Sequence, residues 1–275
     1  MSIAQRGVKK TEASVAAEDD SVVLEVRGLC KTFHTHGSSH EVLRDVDMTV
    51  RRGRCLAIVG ESGSGKTTAA RIIAGLETAS AGSVSLPSRQ RLAKNAHPVQ
   101  MVFQDPYGSL DPRQTIGNGI RELLDLHKGT PRGERRERVK TLLSEVGLDE
   151  RHASLRPTDL SGGQRQRVAI SRALALEPEL LILDEAVSAL DVSVQAQVLN
   201  LLSDIRERVG ISYLFVSHDL GVVRQASDDC IVLSKGRVVE AGPTGSVLDD
   251  PKDPYTQALL RAVPRPGWTP SRRTV

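Results

Sequence analysis

A chain of 275 residues with 39% hydrophobic content is long enough for one large α/β domain, or for one domain carrying an inserted subdomain. Its 37 Lys and Arg stand against 34 Asp and Glu, a formal charge of +3, which supplies no electrostatic push towards nucleic acid. No apolar run reaches the ~18 residues of a membrane span and the N-terminus lacks the apolar stretch of a secretory signal, while Cys30, Cys55 and Cys230 lie far apart with no CxxC, the pattern of reduced, incidental thiols.

Residues 1–20 mix Lys, Glu, Asp, Ser and Ala without periodicity and read as a mobile tail ahead of a single domain over 21–263. Val22–Val26 reads as a strand, and Val46, Met48 and Val50 alternate as a half-buried strand should. Cys55–Val59 is a short apolar run that ends in Gly60, the pattern of a buried parallel strand. A helix is expected from about Lys66, stopped by Gly75 as a C′ glycine. Ser83–Leu86 and Val99–Phe103 read as two more strands. The character then changes: residues 113–158 are charged and helical, with apolar positions at i, i+3, i+4 and i+7 in Arg138–Val146, which predicts a helical insertion over about 105–160. The α/β pattern resumes with a strand at Leu180–Leu183, a helix at Val192–Val209, a strand at Ile211–Val216 and a short helix at Leu220–Ala226. Ile231–Leu233 and Val238–Val239 flank Lys235-Gly236, a hairpin signal. Residues 264–275, rich in Pro and Arg, read as a second mobile tail.

Two loops carry the chemistry. Gly60-Glu61-Ser62-Gly63-Ser64-Gly65-Lys66-Thr67 fits the P-loop pattern, and Thr68 follows it on the expected helix. Its glycines let the backbone curl so that amides point inward at phosphate oxygens, and the helix adds its positive N-terminal end. Lys66 is placed to reach the β- and γ-phosphates of a nucleotide, and the Thr67 hydroxyl to bind Mg²⁺. A chain of this length matches the four fixed positions by chance about once in a hundred; here the match also lies between a strand and a helix, as the motif requires. The second loop is Leu160-Ser161-Gly162-Gly163-Gln164, at the start of the helical pattern Arg165–Leu176, where small residues and a helix N-terminus suit a second anion site. One ATP in one domain does not need two γ-phosphate sites.

The second loop resembles the signature of ATP-binding-cassette (ABC) ATPases, in which it caps the ATP held by a partner's P-loop. That resemblance covers about residues 22–263 and implies a P-loop NTPase core with an antiparallel β subdomain and the inserted helical subdomain. It further implies that Leu180–Leu183 is the Walker B strand, with Asp184 holding Mg²⁺ directly or through water and Glu185 polarising the attacking water. Gln104 would contact Mg²⁺ or that water, His218 would serve as the switch histidine near the γ-phosphate, and Phe33 would stack on adenine. Ser161, Gly162, Gly163 and Gln164 would act in trans, with Asp191 on the D-loop that crosses the interface of the ATPase dimer.

Within that family the chain is similar to the ATPases of oligopeptide, dipeptide and nickel importers. The residues that carry this are Val102–Arg113, Val187–Leu202 and Pro251–Leu260, the last within a C-terminal segment over about 243–263. The resemblance implies ATP and Mg²⁺ as cofactors and a second ATPase subunit, identical or different. It also implies two transmembrane permeases, indirectly a solute-binding protein, and a place on the cytoplasmic face of the membrane. The weighed alternatives are an exporter subunit, a soluble ABC ATPase acting on DNA or ribosomes, and a small-molecule P-loop kinase. Residues 113–158 are too short for the coiled coil of DNA-repair types, ribosome-acting types join two cassettes, and a kinase does not explain Leu160–Gln164. Three departures stand out. Ala186 replaces a usual proline, which is expected to loosen that turn; the stretch from Gly82 to Gln100 is short, which trims the strand arm near adenine; and no cysteine follows Cys230, so the iron–sulfur site of some relatives has no ligands.

Overall fold

The computed structural model describes residues 21–35, 37–87, 97–127 and 130–262, without the side chains of Tyr107 and His127. Both expected tails, His36 and residues 88–96 of the shortened stretch before Gln100 lie outside the described residues.

The described residues build two sheets. Strands β1 (Val22–Thr35), β2 (Ser38–Arg51) and β4 (Ala81–Ser85) form an antiparallel sheet in the order β2-β1-β4. The second has six strands in the order β5-β6-β7-β3-β8-β9: Val99–Val102, Leu180–Asp184, Ser212–Ser217, Cys55–Val59, Asp229–Ser234 and Arg237–Pro243. All its neighbours are parallel except β8 and β9. That last pair is the hairpin expected around Lys235-Gly236. Both turn residues have positive φ, 47° and 81°, as a two-residue type I′ turn requires.

Every residue of β3, β6 and β7 is buried, because both faces of the sheet are covered. Successive side chains alternate between two apolar layers. Leu56, Ile58, Leu180, Ile182, Leu214 and Val216 join the antiparallel sheet and helix α1 (Lys66–Ile73) on one side. Ala57, Val59, Leu181, Leu183, Tyr213 and Phe215 face the other side. There they meet α2 (Ile116–His127), α3 (Arg135–Glu145), α4 (Gly162–Leu174), α5 (Val192–Val209) and α6 (Leu220–Ala226). Helices α2 and α3, within the expected insertion, thus share one continuous core with the sheet. Two short helices, α7 (Thr244–Asp249) and α8 (Pro254–Arg261), close the described chain. Among the described residues no helix is long and apolar enough to cross a membrane.

The outcomes differ from expectation mainly at edges. The first strand runs on to Thr35, so Phe33 lies within β1, paired with His40, and does not follow the strand. The alternation is hidden in the sequence because β1 breaks register around Gly28 (φ 58°), and its far half pairs with the exposed Ser38–His40. Phe103 lies just past β5. All three cysteines are free thiols. Burial pushes the Cys55 thiol far above its usual range and that of Cys230 up to about 11, so both stay protonated.

Candidate nucleotide site

The parallel strands end together: Val102 pairs with Leu183, Asp184 with Val216, and Val59 with Ser217 and Val232. The residues that follow β5, β6, β7 and β3 therefore gather at one carboxyl edge. The chain leaves β3 for β5 on one side and returns from β7 to β8 on the other, so this edge is a topological switch point, where open α/β sheets bind ligands.

The P-loop wraps from Gly60 to α1. Gly65 is the N-cap of α1 with φ 106°, and no side chain caps the helix, so its first amides are left to an incoming anion. Two glycines are required by space. A Cβ on Gly60 would lie 2.1 Å from the Leu233 carbonyl oxygen, and one on Gly65 would lie 2.8 Å from Leu43 Cδ2. The left-handed backbone at Gly65 would cost any other residue about 1–2 kcal/mol more. Gly63 also has positive φ, with open space around it. Ser64 is buried with its hydroxyl unpaired, and its carbonyl accepts the Gly236 amide at 3.1 Å. Glu61, Ser62, Gly63 and Thr67 are exposed, and Thr68 is half-buried. An orphaned buried hydroxyl, an uncapped helix N-terminus and glycines with no room for a side chain together fit a polyphosphate.

Lys66 is 5% exposed and its ammonium donates to the carbonyls of Gly60 and Glu61, both at 2.8 Å. Burial lowers its pKa, partly offset by the Glu185 and Asp184 carboxylates. The Thr67 hydroxyl donates to Asp184 Oδ1 at 3.1 Å. Burial raises the Asp184 pKa, against the lowering effect of the Thr67 hydrogen bond. A cation in front of Asp184 would offset that cost. The oxygen-only donors Thr67 and Asp184 fit a hard cation such as Mg²⁺.

Glu185 meets His218 across the end of the sheet, Nδ1 to Oε1 at 3.3 Å. Glu185 has φ 49°, a left-handed conformation uncommon outside glycine and typical of strained functional positions. Its turn is held by its amide donating to Val216 O at 2.9 Å and by its carbonyl accepting the Ser188 amide and hydroxyl at 3.1 and 2.9 Å. Ala186 is buried at 3% within that turn, so the turn is closed without the missing proline. Gln104 is exposed and donates to the Ser188 hydroxyl at 3.4 Å, which ties the end of β5 to the same turn.

Phe33 is 38% exposed, with the Lys31 ammonium 4.6 Å from its ring centroid. Lys31 is itself held by Glu77 Oε1 and Thr78 O, both at 2.8 Å, so one ring face is covered by a fixed cation.

The second loop is a capping box at the start of α4. Ser161 Oγ accepts the Gln164 amide at 3.3 Å, and Gln164 Oε1 accepts the Ser161 amide at 2.9 Å. Ser161 and Gly162 are exposed. Gly163 is not: it is buried, and a Cβ there would meet Val194 Cγ1 at 2.4 Å, so its local job is close packing of α4 on α5. Asp191 caps α5 by accepting the Val194 amide and the Ser193 hydroxyl, which lower its pKa. Among the described residues, Ser161–Gln164 hydrogen-bond to one another, to Arg165 and to His152, and not to the P-loop.

Three contributors carry no local signal of a role at this site. Buried His152 brings Nε2 to 3.3 Å from Gln164 Nε2 and Nδ1 to 3.0 Å from Asp149 O; with Nδ1 donating, Nε2 accepts from the Gln164 amide. Gly236 supports Ser64 from the hairpin tip. The Tyr255 hydroxyl accepts the Glu61 amide at 3.1 Å. Each makes a contact distant in sequence from its own element.

The ABC transporter family matches residues 43–188, and the oligopeptide/dipeptide transporter C-terminal region matches residues 239–274. The chain is 43% identical over 253 residues to the oligopeptide transport ATP-binding protein OppF of Bacillus subtilis, covering 89% of this chain and 83% of that one. It is 43% identical over 234 residues to the dipeptide transport ATP-binding protein DppF of Escherichia coli, covering 82% and 70%. Among solved structures it is similar to the dimeric ATP-binding cassette MJ0796 bound to ADP and Pi, with a TM-score of 0.70 and 30% identity over 80% of this chain and 98% of that one. It is also similar to CbiO1 of Clostridium perfringens, part of the CbiONQ transporter complex, with a TM-score of 0.72 and 27% identity over 83% and 91%. The chain belongs to the ABC transporter ATP-binding family, in the branch that carries the oligopeptide/dipeptide transporter C-terminal region.

Proposed function

We propose that this chain hydrolyses ATP to drive peptide uptake, as the ATPase subunit of an importer on the cytoplasmic face of the membrane. The observation that carries the reading is the gathering of Lys66, Thr67, Asp184, Glu185 and His218 at one edge of the parallel sheet, in a chain whose C-terminal region matches that of oligopeptide/dipeptide transporters. The names of the relatives in Bacillus subtilis and Escherichia coli favour peptides over nickel, and a Brucella abortus relative named as a putative peptide import ATP-binding protein, 45% identical over 267 residues, favours import over export.

Phosphoryl transfer to water needs positioning and charge neutralisation more than covalent chemistry. Lys66 exchanges its two carbonyl partners for phosphate oxygens. Bound Mg²⁺, held by Thr67 and Asp184, supplies further neutralisation. The Glu185 carboxylate orients and polarises the attacking water, His218 steers that carboxylate, and Gln104 ties the end of β5 to Ser188 on the same turn. The Ser161–Gln164 loop, exposed at Ser161 and Gly162 and making no bond to its own P-loop, suits a site completed by a second cassette, and the similar cassette MJ0796 is dimeric. Two permease subunits and, through them, a solute-binding protein complete the machine.

Adenine stacks on the ring face of Phe33 that Lys31 leaves open. Phe33→Ala is expected to weaken ATP binding by about tenfold, since loss of one base–aromatic stack costs ~1–3 kcal/mol. Equal affinity of parent and variant in a calorimetric titration would remove Phe33 from the site.

The decisive experiment is affinity purification from native membranes in mild detergent. Recovery with two multi-span permeases, and a binding protein that takes up peptides, is the expected result. Recovery with ribosomes or DNA and no membrane protein would refute the importer reading.

A further inference from the structure

The start of α8 is built by hydrogen bonds from two directions. Glu240 on β9 accepts the Lys252 amide at 2.8 Å and the Asp253 amide at 3.2 Å. Asp253 then caps the helix by accepting the Tyr255 amide at 2.7 Å. This lays the Tyr255 ring against the main core and its hydroxyl 3.1 Å from the Glu61 amide, 194 residues earlier in the chain.

The Glu61 N–H and the Gly60 carbonyl belong to one planar peptide and point in opposite directions. The carbonyl accepts the Lys66 ammonium at 2.8 Å. One rigid unit is therefore held at both ends, by Tyr255 on its donor side and by the phosphate-binding lysine on its acceptor side. Rotation of that unit breaks both bonds. Gly60, at φ 152°, holds a backbone conformation that L side chains rarely adopt, so the bonds to this unit fix a glycine-only geometry.

We propose that Tyr255 is a positioning residue of the nucleotide site: its hydroxyl pins the Gly60–Glu61 peptide and so presets the P-loop and Lys66 for the phosphates. The inference rests on reading this edge as an ATP site. It gives the C-terminal region a place in nucleotide binding, through a residue outside the ATPase core that the ABC transporter family match covers. The tether acts on the loop backbone and not on the reacting atoms, so its loss weakens ground-state and transition-state binding alike and shows in KM rather than in kcat.

The test compares the full chain with Tyr255→Phe, which keeps the ring and removes only the hydroxyl. Steady-state ATP hydrolysis, melting temperature without nucleotide, and hydrogen exchange at the Glu61 amide are measured on both. Expected are a KM for ATP raised about fivefold, a kcat within about twofold of the parent, faster Glu61 exchange and an unchanged melting temperature. An unchanged KM overturns the proposal. A fall in kcat together with a lower melting temperature also overturns it, since the hydroxyl would then be structural. If the parent does not hydrolyse ATP, the functional reading fails by itself; exchange at Glu61 in the nucleotide-free protein still decides the tether, and equal rates in both chains overturn it.

Discussion

Glu185→Gln is expected to bind MgATP as the parent does and to turn it over at least about a hundredfold more slowly, the usual scale for removal of a positioned general base. The substitution is nearly isosteric, and the bonds that hold the turn use the Glu185 backbone, which the change does not touch. What is lost is the carboxylate that meets His218 at 3.3 Å, the group able to accept a proton from water or to polarise it. Binding intact with chemistry stopped has a second consequence: a dimer closed over ATP no longer reopens. Size-exclusion chromatography with MgATP should therefore show a stable dimer for the variant and a transient one for the parent. Hydrolysis at the parent rate would take Glu185 out of the chemistry.

Lys66→Met is expected to abolish nucleotide binding at ordinary concentrations, with affinity lower by about a hundredfold or more, because charge-assisted bonds to phosphate are each worth ~1.5–3 kcal/mol. Methionine retains an unbranched apolar stem of similar reach in a position only 5% exposed, so the core around α1 stays filled. The Gly60 and Glu61 carbonyls lose their ammonium partner; water can serve the exposed Glu61, and the buried Gly60 carbonyl left unpaired costs about 1–3 kcal/mol. The melting temperature without nucleotide should thus stay within a few degrees of the parent, while the stabilisation that ATP confers on the parent vanishes. Retention of that stabilisation would show that the phosphates are held elsewhere. The contrast between the variants is the useful part, since one loses binding and the other keeps binding and loses turnover.

Much of this architecture is legible from residue order because it is specified locally. Cys55–Val59 and Leu180–Leu183 announce themselves as continuous apolar runs, since a parallel strand buried on both faces has no polar side to show. Helix α5 spans Val192–Val209 as expected because both ends carry their own signals: Asp191 caps the first turn, and Gly210, at φ 70°, ends the last. The glycine loop and the Ser161–Gln164 capping box are each set by a few consecutive residues, so their chemistry is visible without a fold. Illegible were the lengths of β1 and β2, whose bulges break the two-residue period and whose outer halves are solvated.

The residue order by itself thus determined an α/β domain with a P-loop, a buried strand ending in two acids and a capped Gly-rich loop, because apolar runs, glycines and caps are written within a few residues. Only the tertiary structure decided what supports them. Gly163 is a packing contact against α5, His152 holds Gln164, and Gly236 and Tyr255 brace the P-loop from the distant C-terminal half. The physical reason is common to all four: a single side chain, or a single backbone amide, meets a partner brought near by sheet order and helix packing. No periodicity or spacing along the chain records such an encounter.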